Sequence, residues 1–131
     1  MSDGSGQLED NKRVVTAFYT KAIFEGDVDT ALRLYGGTSY TQHTPFAADG
    51  FDGLRQYVKW IIEHYPKTRG EIKRVFADGD YVLLHCYWTG FFGKNGDAII
   101  DIFRLENGKV VEHWDVIQAI PDTSLNNNTM F

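Results

Sequence analysis

The amino-acid sequence predicts an α+β fold in which three N-terminal helices close over one curved antiparallel sheet to form a cone. Three observations carry this reading. Apolar residues recur at helical spacing up to about Pro66 and follow strand-like runs beyond it. At 131 residues the chain has the length of one domain, enough to bury about two thirds of its unfolded surface without a metal or a disulfide. A sheet with one apolar face needs a cover, and the N-terminal helices are the ones available. A pocket inside such a cone would be lined by the covered sheet face.

Residues 1–10 are rich in Gly, Ser and acidic side chains and read as a flexible lead. Asp10 or Asn11 is placed to cap a first helix, with Val14, Val15, Phe18, Tyr19, Ala22 and Ile23 on one stripe and Gly26 as its stop. Asp27 caps a shorter helix carrying Val28, Ala31, Leu32 and Tyr35, closed by Gly36-Gly37. Ser39 to Thr44 reads as a short strand ended by Pro45. The clearest helix holds Leu54, Tyr57, Val58, Ile61, Ile62 and Tyr65 on one stripe and stops at Pro66, with Trp60 off that stripe and free to cover a second surface. Four antiparallel strands follow: Arg69 to Ala77, Tyr81 to Phe92, and the two arms of a hairpin around Asn107-Gly108, with turns at Asp78-Gly79 and Lys94-Asn95-Gly96. The single domain spans 11–120. Pro121 ends the last strand, and 121–131 is a polar tail whose terminal Phe131 can dock.

Composition narrows the function classes. The 43% apolar and 24% charged shares are those of an ordinary globular protein, and 15% aromatic suits a lined pocket or an apolar interface. A net charge of -5 with no run of Lys or Arg argues against a phosphate-tracking nucleic-acid surface. Cys86 is the one cysteine, which excludes an internal disulfide and a cysteine-based metal or redox motif. A reducing cytoplasm is the expected compartment, since neither a signal segment nor a membrane-length apolar run is visible.

The hairpin from Asp101 to Gln118 carries the candidate chemistry. A two-residue turn at Asn107-Gly108 would set Asp101 opposite Trp114; a three-residue turn with a bulge would set it opposite His113. The second register is favoured because it gathers Ile99, Asp101, Phe103, His113, Asp115 and Ile117 on one face, leaving Ile100, Ile102, Arg104, Glu112 and Trp114 on the other. Titratable groups inside an apolar wall are costly unless paired, and an acid beside an imidazole there suits proton transfer, although a satisfied pair that only fixes register has the same pattern. If the turn at Asn95-Gly96 is also of the three-residue kind, Thr89 sits opposite Asp101 and Tyr87 opposite Phe103, and His85 joins the same face. His64, before Pro66, is expected to cap helix carbonyls.

Several strings resemble a known group. Tyr40-Thr41-Gln42-His43-Thr44-Pro45 with Asp49-Gly50, Asp101-Ile102-Phe103-Arg104, Gly108 through Gln118, and Asn128-Thr129-Met130-Phe131 resemble the SnoaL-like polyketide cyclase group of the NTF2-like superfamily, from about residue 11 to the C-terminus. The resemblance implies a homodimer through the outer sheet face, with Trp114, Ile100, Ile102 and Val116 at the interface. It also implies that Asp101 is the acid/base group of the pocket. It argues against steroid-type isomerisation, because Gly37-Thr38-Ser39-Tyr40 carries no carboxylate near the first strand, and against the epoxide hydrolase set, because Arg104 falls on the wrong face by parity.

The expected function is an aldol-type condensation or cyclisation on a small carbonyl substrate, without a cofactor. Asp101 removes a proton beside the carbonyl, and His113 with His43 or a tyrosine hydroxyl stabilises the enolate oxygen. Tyr19, Trp60, His85, Tyr87, Phe103, Asp115 and Ile117 are the expected substrate contacts. No metal is expected, since His43, His113, Asp101 and Asp115 match no metal-ligand spacing. Three other readings stay open: a non-catalytic small-molecule-binding dimer, an epoxide hydrolase-like activity and a structural dimer.

Overall fold

The structure, a computed structural model, describes residues 4–131. Residues 1–3 of the expected flexible lead lie outside the described residues. Residues 4–10 already belong to helix α1, Gly4–Tyr19, so the helix starts earlier than a cap at Asp10 or Asn11 would allow. Asn11 is instead buried, its side-chain oxygen accepting from Gln7 Nε2 at 3.0 Å. A π-helical turn, Thr20–Phe24, prolongs α1, and Gly26 stops it at a φ of 73°, a left-handed conformation open to glycine.

Helix α2, Val28–Tyr35, is capped by Asp27, whose carboxylate accepts from Thr30 N at 3.2 Å. Strand β1 follows directly as Gly36–Gln42, and helix α3 as Gly50–His64. The α3 stripe buries Leu54, Tyr57, Val58 and Ile61, whereas Ile62, expected on the same stripe, is exposed. His64 Nδ1 bonds the Trp60 carbonyl at 3.1 Å, the helix-end role expected of it.

Strands β2 (Arg69–Asp78), β3 (Tyr81–Thr89), β4 (Asp97–Glu106) and β5 (Lys109–Ala119) form an antiparallel meander. Strand β1 adds in parallel beside β5, giving the order β1-β5-β4-β3-β2. One face of this curved, unclosed sheet is the core. Val82, Leu84, Cys86 and Trp88 of β3 alternate inward with Ile99, Asp101, Phe103 and Leu105 of β4, and meet Val15, Phe18, Tyr19 and Leu54 from the helices. Among the described residues no helix is long and apolar enough to cross a membrane.

The β4–β5 turn corrects the expected register. Asn107 and Gly108 both have positive φ, 52° and 75°, so the turn has two residues, with Glu106 opposite Lys109 and Leu105 opposite Val110. A shift between Arg104 and Leu105 then pairs Arg104 with Glu112, and Asp101 falls opposite Asp115 rather than His113. The two registers differ by an even number of residues, so the same side chains still share the inner face.

The β3–β4 connection is different. Asp97, fully buried, accepts from Phe92 N at 3.1 Å and Gly93 N at 3.0 Å, which makes residues 90–96 one pinned loop instead of a three-residue turn. Trp88 therefore pairs with Asp97 and Leu84 with Asp101, an odd shift from the expected register. An odd shift exchanges the faces: Leu84, Cys86 and Trp88 turn inward, and His85, Tyr87 and Thr89 outward.

Candidate active site

The cone encloses a cavity lined on the sheet side by Trp88, Ile99, Asp101, Phe103, His113, Asp115 and Ile117. Phe18, Tyr19, Ile23, Leu54 and Tyr57 line it from the helices, and Tyr40 and Gln42 from β1. Its chemistry converges at the β4–β5 ladder. His113 Nε2 lies 2.7 Å from Asp101 Oδ1, and His113 Nδ1 lies 2.7 Å from Gln42 Oε1. Asp101 and His113 are 2% and 6% exposed, so this is a dry pair rather than a solvated one.

Asp115 completes the cluster from the opposite position on β5. It is less buried than Asp101 and lines the same cavity. Burial raises its pKa above the ordinary carboxylate range; His113 and the Thr44 hydroxyl pull the other way, and the Asp101 charge adds to the rise. Burial likewise raises the pKa values of Tyr19, Tyr40 and Tyr57, so their phenols remain neutral O–H donors. The Tyr19 hydroxyl stands beside Asp101 and Cys86 without a well-formed hydrogen bond, and Asp101 Oδ2 and the Trp88 indole N–H also lack one. Buried polar atoms are rarely left so, and the cavity beside them, about 20 Å³, has room for about one water-sized polar guest in this conformation.

Asp101, His113 and Asp115 also bring one donor atom each within 4.8 Å of one another, the one such group of His, Cys, Asp and Glu found among the described residues. The 2.7 Å contact between Nε2 and Oδ1 is a hydrogen-bond distance. Two ligands on a tetrahedral zinc ion stand about 3.3 Å apart. A metal would have to spread the pair, and its donors fit a shared proton better.

The structure places the expected site residues as follows. Asp101, His113, Tyr19, Phe103, Asp115 and Ile117 come together around the cavity. His43 does not: it lies over the outer face, stacked on Trp114 at 4.7 Å, with Nε2 2.7 Å from Glu112. Alternation along β1 is the reason, since Gln42 takes the inward position and the next residue points away. His85 and Tyr87 are outside for the register reason given above; His85 accepts from Arg74, and both rings pack on Phe131, which docks there as the tail allowed. Trp60 packs behind Tyr57 against Tyr65 and Phe91 and does not line the cavity. Gln42, Tyr40, Tyr57 and Trp88 were missed. The polar Gln42 beside His43 was the visible signal, and it needed only the right parity.

Arg104 stays on the outer face, held by Glu112 at 2.7 Å and Glu106 at 2.9 Å, so no Asp-Arg-Asp set is assembled.

The fold has counterparts in known proteins. Residues 15–113 match the family model of the SnoaL-like domain, and the chain belongs to that family. Among solved structures, the chain is similar to a candidate polyketide cyclase from Acidithiobacillus ferrooxidans (21% identity, 89% of this chain and 91% of that one, TM-score 0.67). It is also similar to a candidate SnoaL-like polyketide cyclase from Jannaschia (16% identity, 89% and 91%, TM-score 0.72). A third is AclR, a candidate hydroxylase from Streptomyces galilaeus (18% identity, 85% and 90%, TM-score 0.67). At these identities the likeness shows the fold, the α+β cone of the NTF2-like group. No curated protein matches the chain.

Proposed function

We propose that the protein is a small-molecule enzyme that moves a proton at a carbon beside a carbonyl, in an aldol-type condensation or cyclisation that needs no cofactor. The observation that carries this reading is the buried Asp101–His113 pair with a second, more accessible carboxyl, Asp115, on the same cavity wall. Asp115 is the better base. Asp101 Oδ1 is engaged by His113, whereas Asp115 faces the cavity with its pKa raised by burial. The C–H bond breaks, its proton joins Asp115, and the electron pair moves to the carbonyl oxygen. The enolate then attacks a second carbonyl, and Asp115 returns the proton to the new alkoxide. The neutral phenols of Tyr19, Tyr40 and Tyr57 and the Trp88 N–H are the donors available to the enolate oxygen.

The names polyketide cyclase among the similar structures support this reading and hydroxylase a neighbouring one; a cluster of two acids and an imidazole favours proton transfer. The test is α-proton exchange in heavy water, followed by NMR on a panel of small ketones, β-diketones and β-ketoesters. The native protein is expected to exchange, Asp115→Asn to lose exchange by about 100-fold or more, and Asp101→Asn to be impaired. Equal exchange by native protein and Asp115→Asn would defeat the assignment.

The proposal extends to a homodimer through the outer sheet face. Phe76, Tyr81 and Val116 are 57%, 46% and 70% exposed there, and with Ile102 and Trp114 they line one apolar groove. An apolar patch of this kind is a usual mark of an interaction surface.

A further inference from the structure

Gln42 ends β1 with its side chain turned into the sheet, and its carboxamide can be oriented without ambiguity. Two backbone amides, His43 N and Thr44 N, each donate to Gln42 Oε1 at 3.1 Å. Exchanging the oxygen for the amide nitrogen would set N–H against N–H at both contacts, so the acceptor is the oxygen. The nitrogen is turned to the Tyr40 hydroxyl, 3.4 Å away. Gln42 N in turn donates to Asp49 Oδ1 at 2.8 Å, which ties the segment after β1 to the start of α3.

A consequence follows for His113. Its Nδ1 lies 2.7 Å from an oxygen that can only accept, so Nδ1 carries a proton. Its Nε2 lies 2.7 Å from Asp101 Oδ1. If neither of these two atoms held a proton, two lone pairs would face each other at that distance in a dry site. If Nε2 alone held the ring proton, Nδ1 would present a lone pair to Oε1. The arrangement without such a clash has one proton between Nε2 and Oδ1, whether written as aspartate with imidazolium or as aspartic acid with neutral imidazole.

We propose that Gln42 is a positioning residue that holds the His113 proton at Nδ1, so that Asp101 and His113 share one further proton and form a pair of zero net charge. The proposal rests on the proton-transfer reading of this cavity and deepens it. With the Asp101 charge compensated, Asp115 is the uncompensated carboxyl among the described residues lining the cavity and is the one able to act as base. The shared proton then lies beside the place where enolate charge develops. Without Gln42 the ring is free to move its proton to Nε2, next to an ionised Asp101. The pair would then carry a full negative charge against the developing enolate.

The experiment is long-range proton–nitrogen NMR on the full chain labelled with nitrogen-15 histidine, at rest and without substrate, with His113 assigned by comparison with His113→Gln. The expected result is a bonded proton on Nδ1 in the native protein and in Gln42→Glu, whose carboxylate still accepts from the ring and the two amides. Gln42→Leu is expected to move the ring proton to Nε2 and to lower the α-proton exchange rate by about 10- to 100-fold. A bare Nδ1 in the native protein overturns the proposal, as does a Gln42→Leu protein with its Nδ1 proton in place. Should Gln42→Leu fail to fold, the native spectrum and that of Gln42→Glu decide alone. The tautomer is read on the resting protein, so absence of exchange, which counts against the proton-transfer reading, leaves the result for Gln42 as it stands.

Discussion

Replacing Asp101, His113 or both by leucine dissects the buried pair. The two side chains are 3% and 8% exposed and in contact at 2.7 Å, so removing one strands the other in a dry site. The costs are unequal. Asp101→Leu leaves an imidazole that can shed its charge and keep its Nδ1 bond to Gln42, one unsatisfied polar atom costing about 1–3 kcal/mol. His113→Leu leaves a buried carboxylate and also breaks the Gln42 bond, a loss of about 3–5 kcal/mol. In the double variant no stranded charge remains, and apolar replacement of a buried pair is often close to neutral, so its cost should fall at least about 2 kcal/mol below the sum of the singles. Urea unfolding of the four proteins measures this, with the midpoints compared at unchanged slope. Additive single costs, or Asp101→Leu the more damaging of the two, would refute the reasoning.

Other outcomes follow from the same geometry. Asp115 has a raised pKa in the folded state, so the native protein binds its proton more tightly than the unfolded chain does, and stability falls as pH rises from the ordinary carboxylate range through the folded value. Asp115→Asn should flatten that decline and leave the protein more stable than native at neutral pH, as read by thermal melts across pH. His85→Gln, altering an outer-face side chain bound to Arg74, should leave α-proton exchange within about twofold of native; a large loss would place His85 functionally where the register does not. Trp114→Glu, in the outer groove, should yield a monomer by sedimentation while the cavity stays intact, and a persistent dimer would defeat the outer-face interface.

The inner face of the hairpin was legible in the sequence because side-chain alternation depends only on parity. The turn at Asn107-Gly108 was read with the wrong length, yet the shift beside Leu105 restored an even offset and kept Asp101, His113 and Asp115 together. On β3 the offset was odd, and every side chain there changed face. Its cause, the Asp97 carboxylate gathering the amides of a longer loop, is a tertiary arrangement that local turn signals do not encode. His43 and Gln42 show the same sensitivity over a single residue. The string around them marks the right place, and one step of alternation decides that the carboxamide, and not the imidazole, enters the cavity. Trp88 was hidden by the β3 parity, and Tyr57 for another reason: its position reads as ordinary core, and only the closure of helices over sheet makes that core a cavity wall.

The most direct measurement of the central claim is the pH dependence of α-proton exchange on one substrate that the native protein accepts. If Asp115 is the base, the rate rises with pH through a midpoint above the ordinary carboxylate range, and Asp115→Asn loses both the rate and the midpoint. A profile that keeps its rate and midpoint in Asp115→Asn would contradict the account.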